Sequence, residues 1–423
     1  MATASFEFQV MAKPGGAVCN LDCAYCYYLS RRSLYPQDVA CRMSEDVLEA
    51  LIVQTLDAHP GEVVNFAWHG GEPTALGLDY FRTIVALQRK HARPGRRISN
   101  SLQTNGTLID EGWARFLAAE RFFVGLSLDG PEDVHDSYRV TRGHRPTHAQ
   151  AVRAFELLRA WNVPCDVLSV VHDRTVARPR AVYRFFKGLG VPYLQFLPLV
   201  ERTPARRADA PEGPVTSRTP SPEAFGEFLC AVFDEWLRAD VGRIVIQTFD
   251  EAIRTACGLP HALCIFRETC GDVPVVEWNG DFFSCDHFVD REHRLGNIAD
   301  TPLAELLEHS AQRAFGAAKR DALPGICREC DVLDLCNGGC PKDRLLPREG
   351  ERGLNYLCAG WKRFFTHARP HLDRFAALWR AGQPLDRISK ELRPAVAPAA
   401  SAGRNDACPC GSGRKYKRCC GAR

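Results

Sequence analysis

The stretch FEFQVMAKPGGAVCNLDCAYCYY, residues 6–28, runs from an apolar segment into three cysteines at positions 19, 23 and 26, with aromatic residues around the last. Residues 6–13 read as a strand, and the glycine-rich, polar segment behind them as the loop leaving its C-terminal end. The same succession recurs along the first half of the chain. Candidate strands at 63–70, 97–104, 121–129, 165–172 and 193–200 alternate with helical patterns such as SEDVLEALIVQTLDAH (44–59) and AQAVRAFELLRAWN (149–162). In those patterns the apolar residues recur at the spacing of a helix that covers a sheet. Six β–α alternations predict a parallel sheet with right-handed crossovers. Six units fall short of the eight that close a full barrel, so the expected fold class is α/β, a partial (β/α)6 TIM-like barrel. Sites in such folds lie at the C-terminal ends of the strands. CNLDCAYC, GGEP (70–73), TNG (104–106) and SLDG (127–130) all fall there.

Three soft ligands without a fourth pose a question. Structural zinc takes four protein ligands, and a cubane cluster has four irons to hold. Either a remote residue completes the site or one coordination position stays open for chemistry. The chain carries 19 cysteines in 423 residues, gathered as 19/23/26, 264/270/285, 327/330/336/340/358 and 408/410/419/420. Cys41, Cys165, Cys230 and Cys257 stand outside these groups and read as small buried hydrophobes. No apolar run approaches the roughly 20 residues of a membrane span, and the N-terminus lacks a basic segment followed by an apolar one. A cytoplasmic location with no membrane partner is therefore expected. In that reducing compartment, clustered cysteines bind metal or do redox work. The net charge of +3 is too small to imply nucleic acid for the whole chain, and residues 404–423 hold six Lys/Arg against one Asp.

The spacing C-x3-C-x2-C at Cys19, Cys23 and Cys26 resembles the signature of the radical S-adenosylmethionine (SAM) enzymes. The resemblance implies a [4Fe–4S] cluster on these three thiolates, with the fourth iron left open to chelate SAM. A structural zinc site borrowing a remote ligand is the competing reading. Further motifs follow in order on successive loops. Gly70, Gly71, Glu72 and Pro73 resemble the segment that approaches the SAM amino group. Ser127 and Asp129 fit the ribose-contacting position, and Arg139 resembles a SAM carboxylate contact. A lone GGEP would mark only a turn; in this company it points to cofactor binding.

The middle cysteines supply eight thiols, enough for two closed clusters. Their pattern resembles the SPASM extension of radical SAM peptide-modifying enzymes. By that analogy Cys264, Cys270, Cys285 and Cys340 hold one auxiliary [4Fe–4S] cluster, and Cys327, Cys330, Cys336 and Cys358 the other. Two zinc knots are the alternative. Asp286, directly after Cys285, carries a sharper resemblance, to the anaerobic sulfatase-maturating enzymes, which oxidise a cysteine or serine of a sulfatase to formylglycine. There an aspartate in this place is the base, and the chemistry needs one, because forming C=O or C=S demands loss of the hydroxyl or thiol proton. The plainer reading has Asp286 cap a turn or pair with Arg291 or Arg294. His287 reads as a supporting hydrogen bonder. Tyr28 falls where the family has a tyrosine near the substrate peptide. His69 departs from the glutamine of many members.

The expected division is a barrel at 1–235 with a long loop at 201–222, a cysteine-rich domain at 236–384, a linker at 385–405 and a metal-held tail at 406–423. Ser221 and Pro222 look like the cap and first position of a helix. CPCGSGRKYKRCCG (408–421) resembles the SEC-C motif, with Cys408, Cys410, Cys419 and Cys420 on one zinc; so short a module needs metal to fold. Its basic charge suits an acidic protein surface or the ribosome. The expected partners are a sulfatase polypeptide and a reductant such as flavodoxin or ferredoxin. The alternatives are a peptide cyclase forming thioether or carbon–carbon crosslinks, and a non-catalytic zinc-binding adaptor.

Overall fold

In the computed structural model of the protein, the described residues are 3–36, 39–203, 214–348, 350–392, 403–408, 412–419 and 421. Six parallel strands lie side by side in chain order: β1 (Met11–Lys13), β2 (Val63–Trp68), β3 (Arg97–Thr104), β4 (Phe123–Ser127), β5 (Cys165–Val171) and β6 (Tyr193–Pro198). Between them run the helices Glu45–Ala58, Leu78–Lys90, Glu111–Ala119, His148–Ala160 and Pro179–Leu189. The helix starts are locally coded. Ser44 accepts Val47 N–H and Asp110 accepts Trp113 N–H, so each caps an orphan amide. Leu102, Val124, Leu126 and Val167 of the strands are fully buried against Phe81, Phe155 and Phe186 of the helices. The first strand is shorter than its sequence suggests, although Phe8 and Val10 ahead of it still reach the core.

The sheet does not stop at six. A short β7 (Val245–Ile246) extends it beside β6. At the other edge β8 (Val275–Glu277) pairs in parallel with β1, Lys13 opposite Glu277, and β9 (Asp281–Phe283) and β10 (Arg294–Asn297) follow antiparallel. The result is one mixed, largely parallel ten-stranded sheet. Both free edges of the six-stranded core are thereby covered, and the cysteine-rich region grows directly out of the edge beside the first cysteine loop.

Two boundaries read from sequence are corrected. The helix Pro222–Ala239, capped by Ser221 through Ala224 N–H, runs straight across 235/236. The segment 385–392 is not linker: it contains the helix Arg387–Leu392, whose Ile388 is buried and whose Ser389 hydroxyl donates to Leu237 O at 2.7 Å. One apolar side chain and one buried hydrogen bond are enough to fasten it. Of the four ungrouped cysteines, Cys41 and Cys165 are buried, while Cys230 and Cys257 are only partly so. The long loop is pinned at its base by an Arg218–Glu201 ion pair at 2.8 Å; residues 204–213 lie outside the described residues.

Helix Cys358–Arg380 lies across helix Pro222–Ala239, with Phe225 edge-on to Trp361 at 4.9 Å and Phe233 edge-on to Phe364 at 5.8 Å. The crossing is close because both helices present glycine. A Cβ on Gly360 would overlap Pro222 O, and one on Gly226 would lie 2.9 Å from Gly360 Cα. The obstacle is backbone, which cannot rotate away. Gly360→Ala is therefore expected to destabilise the chain by about 1–3 kcal/mol, read as a fall in the thermal unfolding midpoint of the reconstituted protein.

Candidate active site

The first cysteine loop is held from beneath by GGEP. Gly71 N–H donates to Gly16 O (2.8 Å) and Glu72 N–H to Val18 O (2.9 Å). Gly70 has φ +126°, and a Cβ on Gly71 would overlap Val18 O, so only paired glycines allow this contact. Glu72 is 2 % exposed, and its carboxylate accepts from Thr74 N–H, the Thr74 and Thr104 hydroxyls and Asn105 N–H, at 2.6–3.1 Å. The N–H groups of Gly70, Gly71 and Glu72 and the Glu72 carboxylate are thus all paired within the protein. Pro73 is buried at the start of the following turn.

What Glu72 fixes is Asn105, whose amide reaches Asn20 Oδ1 (2.9 Å) and Cys19 Sγ (3.9 Å). Leu21 N–H also donates to Cys19 Sγ at 3.3 Å. Burial dominates the thiols, pushing Cys19 up to about 11 and Cys23 up to about 12, and Cys26 adds to both. The three thiols are half-buried and near enough for Cys26 to act on the other two, and N–H donors already aim at Cys19. Such a donor set fits an iron–sulfur cluster, whose cationic iron would favour the thiolate form.

Asp129 and Arg139 meet as a buried two-point pair at 2.9 and 3.1 Å, 0 % and 7 % exposed. Tyr25 O–H and Val170 N–H also donate to Asp129. Burial alone would raise the Asp129 carboxyl, but Arg139 and His135 outweigh it and hold it low. Asp129 and Arg139 lock Tyr25, inside the CNLDCAYC motif, onto the end of β4. Ser127 remains half-buried and accepts from Gln103 at 3.2 Å.

Asp286 opens a single turn, Asp286–Phe288, directly after Cys285. Its partner is neither Arg291 nor Arg294: Arg294 binds Asp281 at 2.6 Å, and Asp286 binds Lys13. Lys13, at the end of β1, is fully buried, lies over the Tyr28 ring at 4.5 Å and approaches His69 Nδ1 at 2.9 Å. Tyr27 O–H donates to the other carboxylate oxygen. Burial would raise Asp286, yet Lys13, His69 and His287 together hold it well below the usual carboxylate range. Tyr28 is 2 % exposed and its hydroxyl donates to Glu277; the more open tyrosine is Tyr27, at 41 %. His287 packs against Tyr27 with the rings tilted, centroids 5.1 Å apart, and is depressed to about 3, first by burial and then by Lys342. Sequence reasoning missed Lys13 and Tyr27. A lysine closing an otherwise apolar strand was the available signal.

The middle cysteines fall into two sets. Beyond burial, Cys285 is raised by Cys340 and Cys264, Cys270 by Cys264, and Cys340 by Cys264. Likewise Cys327 is raised by Cys358 and Cys330, and Cys336 by Cys358, Cys327 and Cys330. Cys336 and Cys340 serve different sets because Asn337, Gly338 and Gly339 between them all have positive φ, 45°, 72° and 64°, which reverses the chain. Lys319, 1 % exposed, donates to Cys264 O at 2.5 Å and faces Cys270, Cys264 and Cys340, a counter-charge for an anionic group. Among the described residues no three His, Cys, Asp or Glu side chains converge on a single metal ion. In the tail, Cys408 N–H donates to Arg414 O (2.8 Å) and the Ser412 hydroxyl lies 3.1 Å from Cys419 Sγ. Cys410 and Cys420 lie outside the described residues. No helix among the described residues is long and apolar enough to cross a membrane.

Comparison with known proteins agrees with this geometry. The radical SAM superfamily model matches residues 14–186, the SPASM iron–sulfur cluster-binding domain 269–331 and the SEC-C motif 404–422. The first two families imply iron–sulfur clusters and SAM. The serine-type anaerobic sulfatase-maturating enzyme of Bacteroides thetaiotaomicron is 40% identical over 86% of this chain and 90% of its own. The cysteine-type enzyme of Clostridium perfringens strain 13 is 34% identical over 87% and 98%. The solved structure of native anSMEcpe with bound AdoMet and the Cp18Cys peptide superposes with a TM-score of 0.79 at 33% identity, over 88% of this chain and 99% of that one. By the extent and identity of these matches, the chain belongs to the anaerobic sulfatase-maturating enzymes.

Proposed function

We propose that the chain oxidises a serine or cysteine of a sulfatase polypeptide to Cα-formylglycine, with Asp286 as the base. The observation that carries this is one hydrogen bond. Tyr27 follows Cys26 of the first loop, Asp286 follows Cys285 of the first auxiliary set, and Tyr27 donates to Asp286. The carboxylate thus stands between the two groups of thiols.

Cys19, Cys23 and Cys26 would hold one [4Fe–4S] cluster. Cys264, Cys270, Cys285 and Cys340 would hold a second, and Cys327, Cys330, Cys336 and Cys358 a third. Bound there, the open cluster and SAM would supply hydrogen-atom abstraction at the substrate Cβ, and the closed clusters would supply an electron acceptor. The remaining change is the proton on the hydroxyl or thiol, and Asp286 takes it. Lys13 and Tyr27 hold the carboxylate ionised, and its oxygen atoms in place, for that transfer. The substrate then has lost a hydrogen atom, a proton and an electron, which makes C=O from serine. From cysteine it makes C=S, which water converts to the aldehyde with loss of hydrogen sulfide. Cys408, Cys410, Cys419 and Cys420 would hold one zinc, and the basic tail would meet an acidic surface. A flavodoxin- or ferredoxin-type reductant would supply the starting electron.

Anaerobic reconstitution tests the reading. Expected are about twelve irons per chain, four for each of three clusters, cleavage of SAM to 5′-deoxyadenosine, and an aldehyde in a sulfatase peptide. A colourless chain binding only zinc would overturn it.

A further inference from the structure

Helix Ser310–Asp321 buries Gln312, Gly316 and Lys319, which share one face at the i, i+4, i+7 spacing. A surface helix ordinarily buries an apolar stripe; this one buries an amide, a glycine and a cation. Each of the three meets the backbone of the first auxiliary set. The Gln312 side chain donates to Gly271 O (2.7 Å) and Ser284 O (3.1 Å), the neighbours of Cys270 and Cys285. Gly316 O accepts Cys270 N–H at 3.3 Å, and a Cβ on Gly316 would overlap Cys270 O. Lys319 donates to Cys264 O at 2.5 Å. One helix thus grips the chain beside three of the four cysteines.

The carboxylates around these cysteines are already matched. Asp272 pairs with Arg267, Asp343 with Lys342 and Asp286 with Lys13. Among the described residues no carboxylate forms an ion pair with Lys319, although that residue is 1 % exposed. A cation taken so far out of water needs a counter-charge. The charge of Lys319 reaches the Cys270, Cys264 and Cys340 thiols, so its match is the group those cysteines hold. A cubane on four thiolates is anionic, becomes more so on reduction, and takes its potential from net charge, hydrogen bonds and exposure.

We infer that Lys319 raises the reduction potential of the auxiliary cluster on Cys264, Cys270, Cys285 and Cys340, and so suits that cluster to take the substrate's electron. This rests on the ligand set proposed above. The substrate, having lost a hydrogen atom from Cβ, gives its proton to Asp286 and one electron to the cluster. The substrate is oxidised and the cluster reduced by that electron. A fixed ammonium favours the reduced, more negative form, and burial shields the attraction from salt. Lys362 and Arg348, the cations that act on Cys358 of the second set, are exposed, where water and salt weaken them.

The test uses the full chain with Cys19, Cys23 and Cys26 replaced by alanine, so that only the two auxiliary clusters are seen. It is reconstituted anaerobically and titrated with reductant while the reduced clusters are followed by electron paramagnetic resonance. Lys319→Met keeps the apolar stem and removes the charge. Lys319→Gln also removes the charge but keeps a donor for Cys264 O, and Lys319→Arg keeps the charge. With about eight irons bound, the methionine and glutamine variants are expected to lower one of the two midpoint potentials by about 59 mV or more. That shift is a tenfold change in a one-electron equilibrium. The other potential stays, and the arginine variant keeps both. Unchanged potentials in the iron-replete methionine variant overturn the inference. So does a glutamine variant at the parent potential, because the hydrogen bond and not the charge is then what counts. An arginine variant that falls as far as methionine overturns it too. Neutral variants that bind only about four irons would give Lys319 a part in assembly in place of the potential, and overturn it likewise. If the parent chain binds zinc and no iron, the proposed ligand sets themselves fail. The expected shift in a chain that forms no aldehyde would uphold the inference and reject the proposed reaction.

Discussion

Asp286→Asn is expected to lower formylglycine formation by about a hundred- to ten-thousandfold, the usual contribution of a positioned base, while iron content stays at that of the parent chain. Asparagine matches the shape and can still accept from Tyr27, but it cannot take the substrate proton. The substitution has a second consequence, because Lys13 is fully buried and Asp286 is its counter-ion. Leaving a buried charge uncompensated costs about 3–5 kcal/mol when one partner of such a pair is removed. A loss of activity could therefore be blamed on unfolding. Lys13→Met separates the two explanations. Combined with Asp286→Asn, it removes the stranded cation and is expected to recover much of the lost stability with no recovery of turnover. If the double variant regains activity along with its melting temperature, Asp286 serves structure and not proton transfer.

Gly71→Ala should be the most damaging single methyl in the barrel. The Cβ would overlap Val18 O, in the loop that delivers Cys19. It would also strain the Gly71 N–H to Gly16 O and Glu72 N–H to Val18 O bonds, which hold that loop against β2. Because the obstacle is a main-chain carbonyl, relief requires moving the cysteine loop itself, at about 1–3 kcal/mol for overpacking of this kind. The two auxiliary sets lie elsewhere in the chain and are not touched. Iron is therefore expected to fall from about twelve to about eight per chain, one cubane's worth, with SAM cleavage lost altogether. Full iron with full cleavage would show that the glycine pair does not support the loop.

Much of this was legible because it is local. A strand followed by C-x3-C-x2-C, or Ser221 followed by Pro222, declares itself within a few residues, and the helix from Pro222 and the strand Arg97–Thr104 fall where the pattern places them. What escaped depends on residues that meet only in the folded chain. Val275–Glu277 and Asp281–Phe283 are three residues each, too short to show alternation, and are strands only because β1 offers an open edge. Lys13 and Asp286 are far apart in sequence, as are Tyr27 and Asp286. Asp129 and Arg139, 10 residues apart, meet as a buried pair in which each offsets the other's charge. The helix Arg387–Leu392 was hidden by the Pro- and Ala-rich sequence that follows it.

The central claim is that a hydrogen atom leaves Cβ of the target residue and that an aldehyde results. A sulfatase peptide carrying deuterium on the Cβ of its target serine tests both at once, in an anaerobic single-turnover reaction with SAM. The expected result is deuterium in 5′-deoxyadenosine, appearing in step with a peptide aldehyde trapped by a hydrazine. Unlabelled 5′-deoxyadenosine, or labelled 5′-deoxyadenosine beside a peptide that has lost hydrogen but traps no hydrazine, would contradict the account.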